Sequence, residues 1–214
     1  EEPLDVSVSA SSFDENIAAG SAVATLSTTD PDTGDTHTYA LVSGDGDADN
    51  SAFTIEGNQL KIVESPDFET KSSYSIRLEA RDSDGLSLET EVTLNVTDIN
   101  EQPADVSVSA SAFEENIAAG STVATLSTSD PDSDDTHSYA LVLGDGDADN
   151  NAFTIEDDQL KIVESPDFET KSSYSIRLET RDSDGLSYEK EVTLNVTDIN
   201  EQPADVSVSA STFD

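Results

Sequence analysis

The chain is written twice. Residues 1–100 and 101–200 align without a gap, so the period is 100 residues. FTIE recurs from Phe53 and Phe153, QLKIVESPDFETKSSYSIRLE from Gln59 and Gln159, and EVTLNVTDINEQPADVSVSAS from Glu91 and Glu191. A repeat of this fidelity requires one fold built twice and points to one role repeated, not to two different active sites. Residues 201–214 begin a third copy, which implies a longer parent array. The expected domains are therefore repeat 1 (1–100), repeat 2 (101–200) and a truncated third repeat (201–214).

Within one period the apolar residues alternate in short runs. Seven segments read as strands: Asp5–Ala10, Ser21–Thr28, Thr36–Val42, Ala52–Ile55, Gln59–Val63, Ser73–Arg81 and Ser87–Thr97. In the sixth, Tyr74, Ile76, Leu78 and Ala80 face one way and Ser75, Arg77, Glu79 and Arg81 the other, the period-2 signature of a half-buried strand. Clusters of Gly, Pro, Asp, Asn and Ser separate the segments, as turns require. No window carries a sustained helical period. About 100 residues with seven short strands is the size of an immunoglobulin-like sandwich, although the Cys and Trp of true immunoglobulin domains are absent.

Charge sets the chemistry. There are 47 Asp and Glu against 9 Lys and Arg, a formal net charge of −38. Phosphate neutralisation needs clustered cations, so no nucleic-acid partner is expected. An anionic membrane surface is equally unsuitable. No Cys is present, which removes disulfides, thiol nucleophiles and Cys-type zinc sites. No apolar run approaches the ~20 residues that span a bilayer, and no signal-peptide pattern opens the chain. The missing initiator Met suggests an excised internal piece, with any export signal outside it.

Strand parity predicts where the carboxylates gather. If pairing is mainly antiparallel, the loop holding Glu15, the loop holding Asp67 and Glu69, and the segment Asp98, Asn100 and Glu101 all fall at the C-terminal pole of repeat 1. Asp130 and Asp132 (DPD) and Asp182 and Asp184 (RDSDG) fall at the N-terminal pole of repeat 2. Joined end to end, the two sets face each other across Asp98–Pro103. Two like charges ~4 Å apart cost about 4 kcal/mol at an effective dielectric of about 20. Ca²⁺, which accepts oxygen ligands at irregular angles, relieves this best. Mg²⁺ demands stricter octahedral geometry, and zinc or copper would want His or Cys.

These motifs, in this order, resemble those of a bacterial cadherin repeat over the whole of both copies. The family's Glu-bearing motif is met by DEN with Glu15, its DRE-like motif by DFE with Asp67 and Glu69, and its DxD by DPD with Asp130 and Asp132. Its A-x-D-x-G-like Asp is met by Asp182 in TRDSDG, and its DxNDN-like linker by DINEQ with Asp98 and Asn100. The resemblance implies an all-β fold of tandem seven-stranded Greek-key β-sandwiches, with several Ca²⁺ ions stiffening each junction. Two departures stand out: Glu101-Gln102 replaces Asp-Asn in the linker, and Phe68 replaces Arg, where it reads as a packing residue. At the outer poles, Asp30, Asp32 and Asp82 face a linker reduced to Glu1-Glu2-Pro3. Glu115, Asp167, Glu169, Asp198, Asn200 and Glu201 face a third repeat without its DxD. Weak or partial sites are expected there.

Other signals are weaker. GDGDADN, from Gly44 and again from Gly144, places Asp45, Asp47, Asp49 and Glu56 at EF-hand-like spacing. Asn50 stands where the loop needs Gly and no helices flank it, so a solvated hairpin loop is expected, with a peripheral Ca²⁺ as the sharper alternative. His37 and His137, each in DTH, read as solvated strand-start residues, since nothing resembles a nucleophile elbow. Paired carboxylates can hydrolyse glycosides, but no cleft-forming insertion is visible. No enzymatic activity is expected. The leading expectation is a Ca²⁺-rigidified structural and adhesive repeat of a secreted or surface-anchored bacterial protein, partnered by other repeats of its own chain. The alternative is a Ca²⁺-dependent module binding a polysaccharide or another cadherin-like protein. The absence of Trp, which some cadherin tips swap between partners, makes these copies look like shaft.

Overall fold

In the computed structural model, which describes residues 1–203 and 205, the chain forms two compact units, Glu1–Asn100 and Glu101–Asp214. The expected start of a third repeat falls largely outside the described residues. Unit 1 contains β1 (Asp5–Val8), β2 (Ser12–Asp14), β3 (Ala22–Thr29), β4 (Thr38–Leu41), β5 (Phe53–Glu56), β6 (Gln59–Ile62), β7 (Ser73–Arg81) and β8 (Ser87–Thr97). One sheet has the order β1-β3-β6-β5 and the other β2-β8-β7-β4. Chain neighbours β4 and β5 lie in different sheets, the crossing that makes a Greek-key sandwich.

Seven strands were expected and eight form: the expected first segment, Asp5–Ala10, is met by β1, and β2 at Ser12–Asp14 lies beyond it. β1 pairs antiparallel with β3, and the chain then changes sheet, so that β2 pairs parallel with β8. Both sheets thereby gain an edge strand. Phe13 is the buried residue of β2, flanked by exposed Ser12 and Asp14. A bulge in β3, where the register with β6 shifts between Ala22 and Ala24, explains why adjacent Val23 and Ala24 are both buried; an extra residue locally breaks the alternation.

β7 and β8 form the long central hairpin, paired from Ser73↔Asn95 to Arg81↔Ser87. The alternation read in β7 is realised: Ile76, Leu78 and Ala80 are fully buried. They meet Leu26, Leu60, Ile62 and Leu94 between the sheets. Phe13, Phe53 and Tyr74 form an aromatic cluster, with Phe53 edge-on to Tyr74 at 5.3 Å between ring centroids. Phe68 packs on the margin of this core, as expected of it.

The Gly44–Asn50 loop is not a solvated hairpin. Asp47 Oδ2 accepts from the Gly44 N–H at 3.0 Å, and Asp49 Oδ2 from the Ser75 N–H at 2.8 Å. Asp49 also pairs with Lys71 at 3.0 Å. The Asn50 amide donates to Val42 O and accepts from Arg77 N–H. Asp47 braces the loop internally, Asp49 and Asn50 hold it onto the sheet, and Asp45 stays exposed. A Cβ on Gly44 or Gly46 would meet the flexible side chains of Arg77 and Glu91, which would have to move, and the left-handed φ of 87° at Gly46 favours glycine there.

Unit 2 repeats this plan with β9 (Asp105–Val108), β10 (Ala112–Glu114), β11 (Thr122–Ser129), β12 (Ser138–Leu141), β13 (Phe153–Glu156), β14 (Gln159–Ile162), β15 (Ser173–Arg181) and β16 (Ser187–Thr197). Its sheets run β13-β14-β11-β9 and β10-β16-β15-β12. Three substitutions are locally compensated or strained. Thr180, at the place of Ala80, is fully buried, but its hydroxyl bonds Thr128 Oγ1 at 2.6 Å. Lys190, at the place of Thr90, pairs with both oxygens of Asp105 at 2.8 and 2.9 Å. Asp157, at the place of Gly57, keeps a left-handed φ of 56°.

The Gly57 position offers a test of backbone strain, since a Cβ there would meet open space. Asp157→Gly is expected to stabilise repeat 2 by up to about 1 kcal/mol, and Gly57→Asp to destabilise repeat 1 by a similar amount. Urea denaturation of the two variants measures both signs.

Candidate metal sites at the module poles

At the C-terminal pole of unit 1, three loops converge on one buried side chain. The pairing Asp14↔Thr97 sets the end of β2 beside the end of β8. Asn16 N–H donates to Pro66 O at 2.9 Å, bringing in the loop before β7. Glu15 is 3% exposed between them. Its Oε2 accepts from the Phe68 N–H and its Oε1 from the Ile99 N–H, each at 2.8 Å. Carboxylate oxygens of Glu15, Glu69 and Asp98 lie within 4.8 Å of one another. Parity therefore grouped these three correctly. Asp67 sits in the same loop but has a local job: its carboxylate takes the Thr70 N–H at 2.8 Å and the Thr70 hydroxyl at 2.9 Å.

The equivalent pole of unit 2 is built alike. Glu115 accepts from Phe168 N–H at 2.9 Å and Ile199 N–H at 2.7 Å. Here Glu115, Asp167 and Glu169 form the close group. The carboxyl of Glu169 is pushed up despite a backbone hydrogen bond that lowers it. Desolvation and the neighbouring charges of Glu115, Glu201 and Asp198 prevail. The pole thus pays electrostatically for crowding its acids.

The N-terminal poles are assembled by the other ends of the strands. Thr38↔Arg81 and Arg81↔Ser87 bring the start of β4 and the β7–β8 turn together. In unit 1, oxygens of Asp30, Asp35 and Asp82 lie within 4.8 Å of one another. Asp82 is 6% exposed. Its Oδ1 accepts the Asp84 and Leu86 N–H groups, each at 2.9 Å, while its Oδ2 is buried without a partner. Asp30 accepts from the Asp32 N–H at 2.9 Å, and its other oxygen is 2.9 Å from His37 Nε2. The His37 hydrogen bond, more than the Asp32 N–H, holds the Asp30 carboxyl below its ordinary range. Asp32 pairs with the chain's terminal ammonium at Glu1, whose pKa this contact raises.

In unit 2 the corresponding group is Asp130, Asp135 and Asp182. Asp182 is 5% exposed and takes the Gly185 and Leu186 N–H groups at 2.5 and 2.8 Å. Asp132 accepts the Glu101 N–H at 2.6 Å and keeps a buried, unpartnered Oδ1. The linker side chain of Gln102 donates to Ser187 O at 2.7 Å, so the residue that departs from the family linker braces the pole. Asn100, also expected as a ligand, belongs to unit 1 and is half-buried.

Two findings correct the sequence reading. His37 and His137 are not solvated: their side chains are 13% and 15% exposed and each orients the first Asp of a DPD motif. Asp35 and Asp135 were overlooked as candidates. The available signal was an Asp three residues after each DPD, in DPDTGD and DPDSDD.

The donor set suits a hard cation. Among the described residues, the close groups consist of carboxylates alone, and the adjacent imidazole Nε2 atoms are engaged by Asp30 and Asp130. Buried anionic oxygens without donors, at Asp35, Asp82, Asp132 and Asp135, are what a multi-oxygen Ca²⁺ shell would satisfy.

Comparison with known proteins gives the family. The Cadherin domain profile matches residues 9–97 and 109–197. The human protocadherin gamma-A3 is 30% identical over 202 residues, covering 88% of this chain and 21% of that protein. Mouse protocadherin Fat 4 is 30% identical over 205 residues, covering 92% of this chain and 4% of its own length. The chain therefore spans a small part of these relatives. Extracellular cadherin domains 3–6 of protocadherin gamma B2 share the fold, with a TM-score of 0.64 and 21% identity over 91% of this chain and 48% of theirs. Mouse cadherin-23 EC22-24 gives a TM-score of 0.63 at 21% identity, covering 89% of this chain and 63% of its own. These relatives are animal proteins and lend no support to the bacterial subtype expected from the motifs. The family in general binds Ca²⁺ at repeat junctions, and its domains are adhesion modules, not enzymes. Two sandwiches of this topology, each matched across almost its full length, make this chain a tandem pair of cadherin domains and a member of the cadherin family.

Proposed function

We propose that this chain is a Ca²⁺-stiffened spacer segment of an extracellular adhesion protein, with Ca²⁺ bound where the C-terminal pole of repeat 1 meets the N-terminal pole of repeat 2. Repeats 1–100 and 101–200, with 201–214 opening a third, are its units. Glu15, Asp67, Glu69, Asp98, Asn100 and Glu101 would contribute from one side and the linker, and Asp130, Asp132 and Asp182 from the other. The observation that carries this reading is the set of buried carboxylate oxygens left without hydrogen-bond donors beside fixed carboxylate groups. Such oxygens are costly unless a cation completes them. Divalent binding would convert repulsion into cohesion, limiting bending between modules and presenting an attached adhesive tip at a set distance.

Direct contact between copies is the second reading. One structural neighbour, covering 93% of this chain at a TM-score of 0.60, is titled a protocadherin gammaB7 EC3-6 cis-dimer. In that case the Ca²⁺-braced flanks of the repeats would themselves pair with another cadherin chain. A polysaccharide ligand finds no support among these relatives.

Thermal melting and small-angle scattering of the 214-residue chain test the spacer. Millimolar Ca²⁺ is expected to raise Tm and narrow the distance distribution relative to EDTA. Each independent site contributes about 2.7 kcal/mol at 100 times its dissociation constant. Extracellular modules of this kind bind near 10⁻⁴–10⁻³ M, so the titration must reach millimolar concentrations. Identical melting and scattering with and without Ca²⁺ would reject the reading. A concentration series by sedimentation separates the second reading, which alone predicts Ca²⁺-dependent self-association.

Glu169 supplies a test by sign. Its carboxyl is raised in the folded state, so its contribution favours folding at low pH and is lost as pH rises through the folded pKa. At neutral pH in EDTA, Glu169→Gln is therefore expected to raise Tm. In millimolar Ca²⁺ it is expected to lower Tm relative to the unchanged chain, because a ligand has been removed. A shift of the same sign in both buffers would show that Glu169 is crowded but holds no metal.

A further inference from the structure

Each sandwich carries a cleft between its sheets, of about 560 Å³ in unit 1 and about 550 Å³ in unit 2. In unit 1 no member of a close carboxylate group lines it. Ala52, just before β5, and Val63, just after β6, form one wall, and Tyr74 of β7 forms the other. The Val63 N–H donates to Ala52 O at 2.8 Å, which fixes the first wall. Phe13 stacks on the Tyr74 ring at 6.1 Å and Phe53 meets it edge-on, which fixes the second. Over the same ring lies Lys71 Nζ, 5.2 Å from the centroid and 3.0 Å from Asp49 Oδ1. The cleft thus already holds one alkyl cation, tethered by its own chain. Unit 2 repeats the contact, with Lys171 Nζ 5.2 Å from the Tyr174 centroid and 2.8 Å from Asp149. Acids outnumber that cation around the ring. Burial pushes the Tyr74 phenol up, Lys71 opposes this, and Asp49, Asp67 and Glu64 add to the rise. Asp67 is held by Thr70. Among the described residues, the Glu64 carboxylate has no hydrogen bond or ion pair.

We infer that this cleft is a docking pocket for an arginine side chain of another protein, with Lys71 and Lys171 as resident stand-ins that the incoming guanidinium displaces. Charge complementarity selects the occupant. The aliphatic stem lies against Ala52 and Val63, where Val63 is 42% exposed, and the cationic end meets Asp49, Glu64 and the Tyr74 ring. An anion is repelled by the same acids. A guanidinium suits the cleft better than an ammonium, because it is weakly hydrated, stacks on an aromatic ring and offers a carboxylate two parallel donors. A free polyamine fits poorly, since its second charge would lie against the apolar wall. A second copy of this chain is a poor source: Arg77, Arg81, Arg177 and Arg181 are its only arginines, and each is paired with a Glu. The two clefts have the same lining except that Asn151 stands in place of Ser51, so one chain offers the anchor twice.

Nuclear magnetic resonance of the ¹⁵N-labelled full chain tests this with two peptides, acetyl-Gly-Arg-Gly-amide and its citrulline counterpart, which has the same shape and no charge. For the arginine peptide, saturable shifts are expected at the Val63, Lys71 and Tyr74 amides and at those of Val163, Lys171 and Tyr174, with a dissociation constant on the order of 1 mM. Glu64→Gln is expected to weaken binding about tenfold in repeat 1 alone, with repeat 2 as the internal reference. Lys71→Met, which keeps an apolar stem and removes the resident cation, is expected to tighten it about tenfold in repeat 1. Lys61→Met removes the same charge from a lysine that pairs with Glu56 outside the cleft, and is expected to change nothing. Equal tightening by both lysine variants, no effect of Glu64→Gln, equal binding of the citrulline peptide, or no localised shifts at all overturns the pocket. Putrescine binding as tightly as the arginine peptide overturns the protein partner. The titration is run in EDTA and in millimolar Ca²⁺. Shifts that persist in both support the cleft. Shifts lost in Ca²⁺ put the peptide on the pole carboxylates and overturn it. None of these outcomes depends on whether the poles bind Ca²⁺.

Discussion

A buried carboxylate accepting backbone N–H groups organises each end of these sandwiches, from distant loops at one end and within a single turn at the other. Glu15 ties the segment after β2 to Phe68 and Ile99, residues 53 and 84 positions away. Asp82 closes the β7–β8 turn through Asp84 and Leu86. Each bond is charge-assisted and stronger than its neutral counterpart. Loops that would otherwise splay under mutual repulsion are thus pinned by the same groups that create it.

The two kinds of pole handle their charge differently. At the C-terminal poles both oxygens of the buried Glu15 and Glu115 accept N–H groups, and further acids gather around them, raising Glu169. At the N-terminal poles Asp35, Asp82, Asp132 and Asp135 are each anchored on one oxygen and keep the other buried without a donor. Elsewhere the chain spends its acids on ordinary pairing: Arg77 with Glu89, Lys71 with Asp49, Lys161 with Glu156. With 9 Lys and Arg for 47 acids, cationic side chains cannot neutralise the poles as well. That scarcity is the general reason a mobile divalent cation fits this family member.

The two copies show how much of a cadherin domain can drift. Ala80 becomes a buried Thr180 only with a hydroxyl partner at Thr128, because an unsatisfied buried group is costly. Thr90 becomes Lys190 where Asp105 can receive it. The pole acids stay unchanged, as do the glycines of the Gly44–Asn50 and Gly144–Asn150 loops, where Gly46 and Gly146 hold left-handed φ values.

Periodicity alone determined the all-β sandwich, the tandem order and the bounds of β7 and β8, because period-2 burial leaves a direct imprint on residue order. Strand parity also sufficed to group Glu15 with Glu69 and Asp98, since antiparallel pairing decides which loops share an end. Three things were decided only in three dimensions. The chain after the first strand changes sheet, so that β1 pairs with β3 and the added strand β2 pairs with β8. The Gly44–Asn50 loop turns Asp47 and Asp49 onto backbone N–H groups and Lys71, a choice made by the surface beneath it. Asp35 joins Asp82, 47 residues away, because the pairing of β4 with β7 carries the two turns to one place; proximity of that kind is a property of register and is written nowhere in the local sequence.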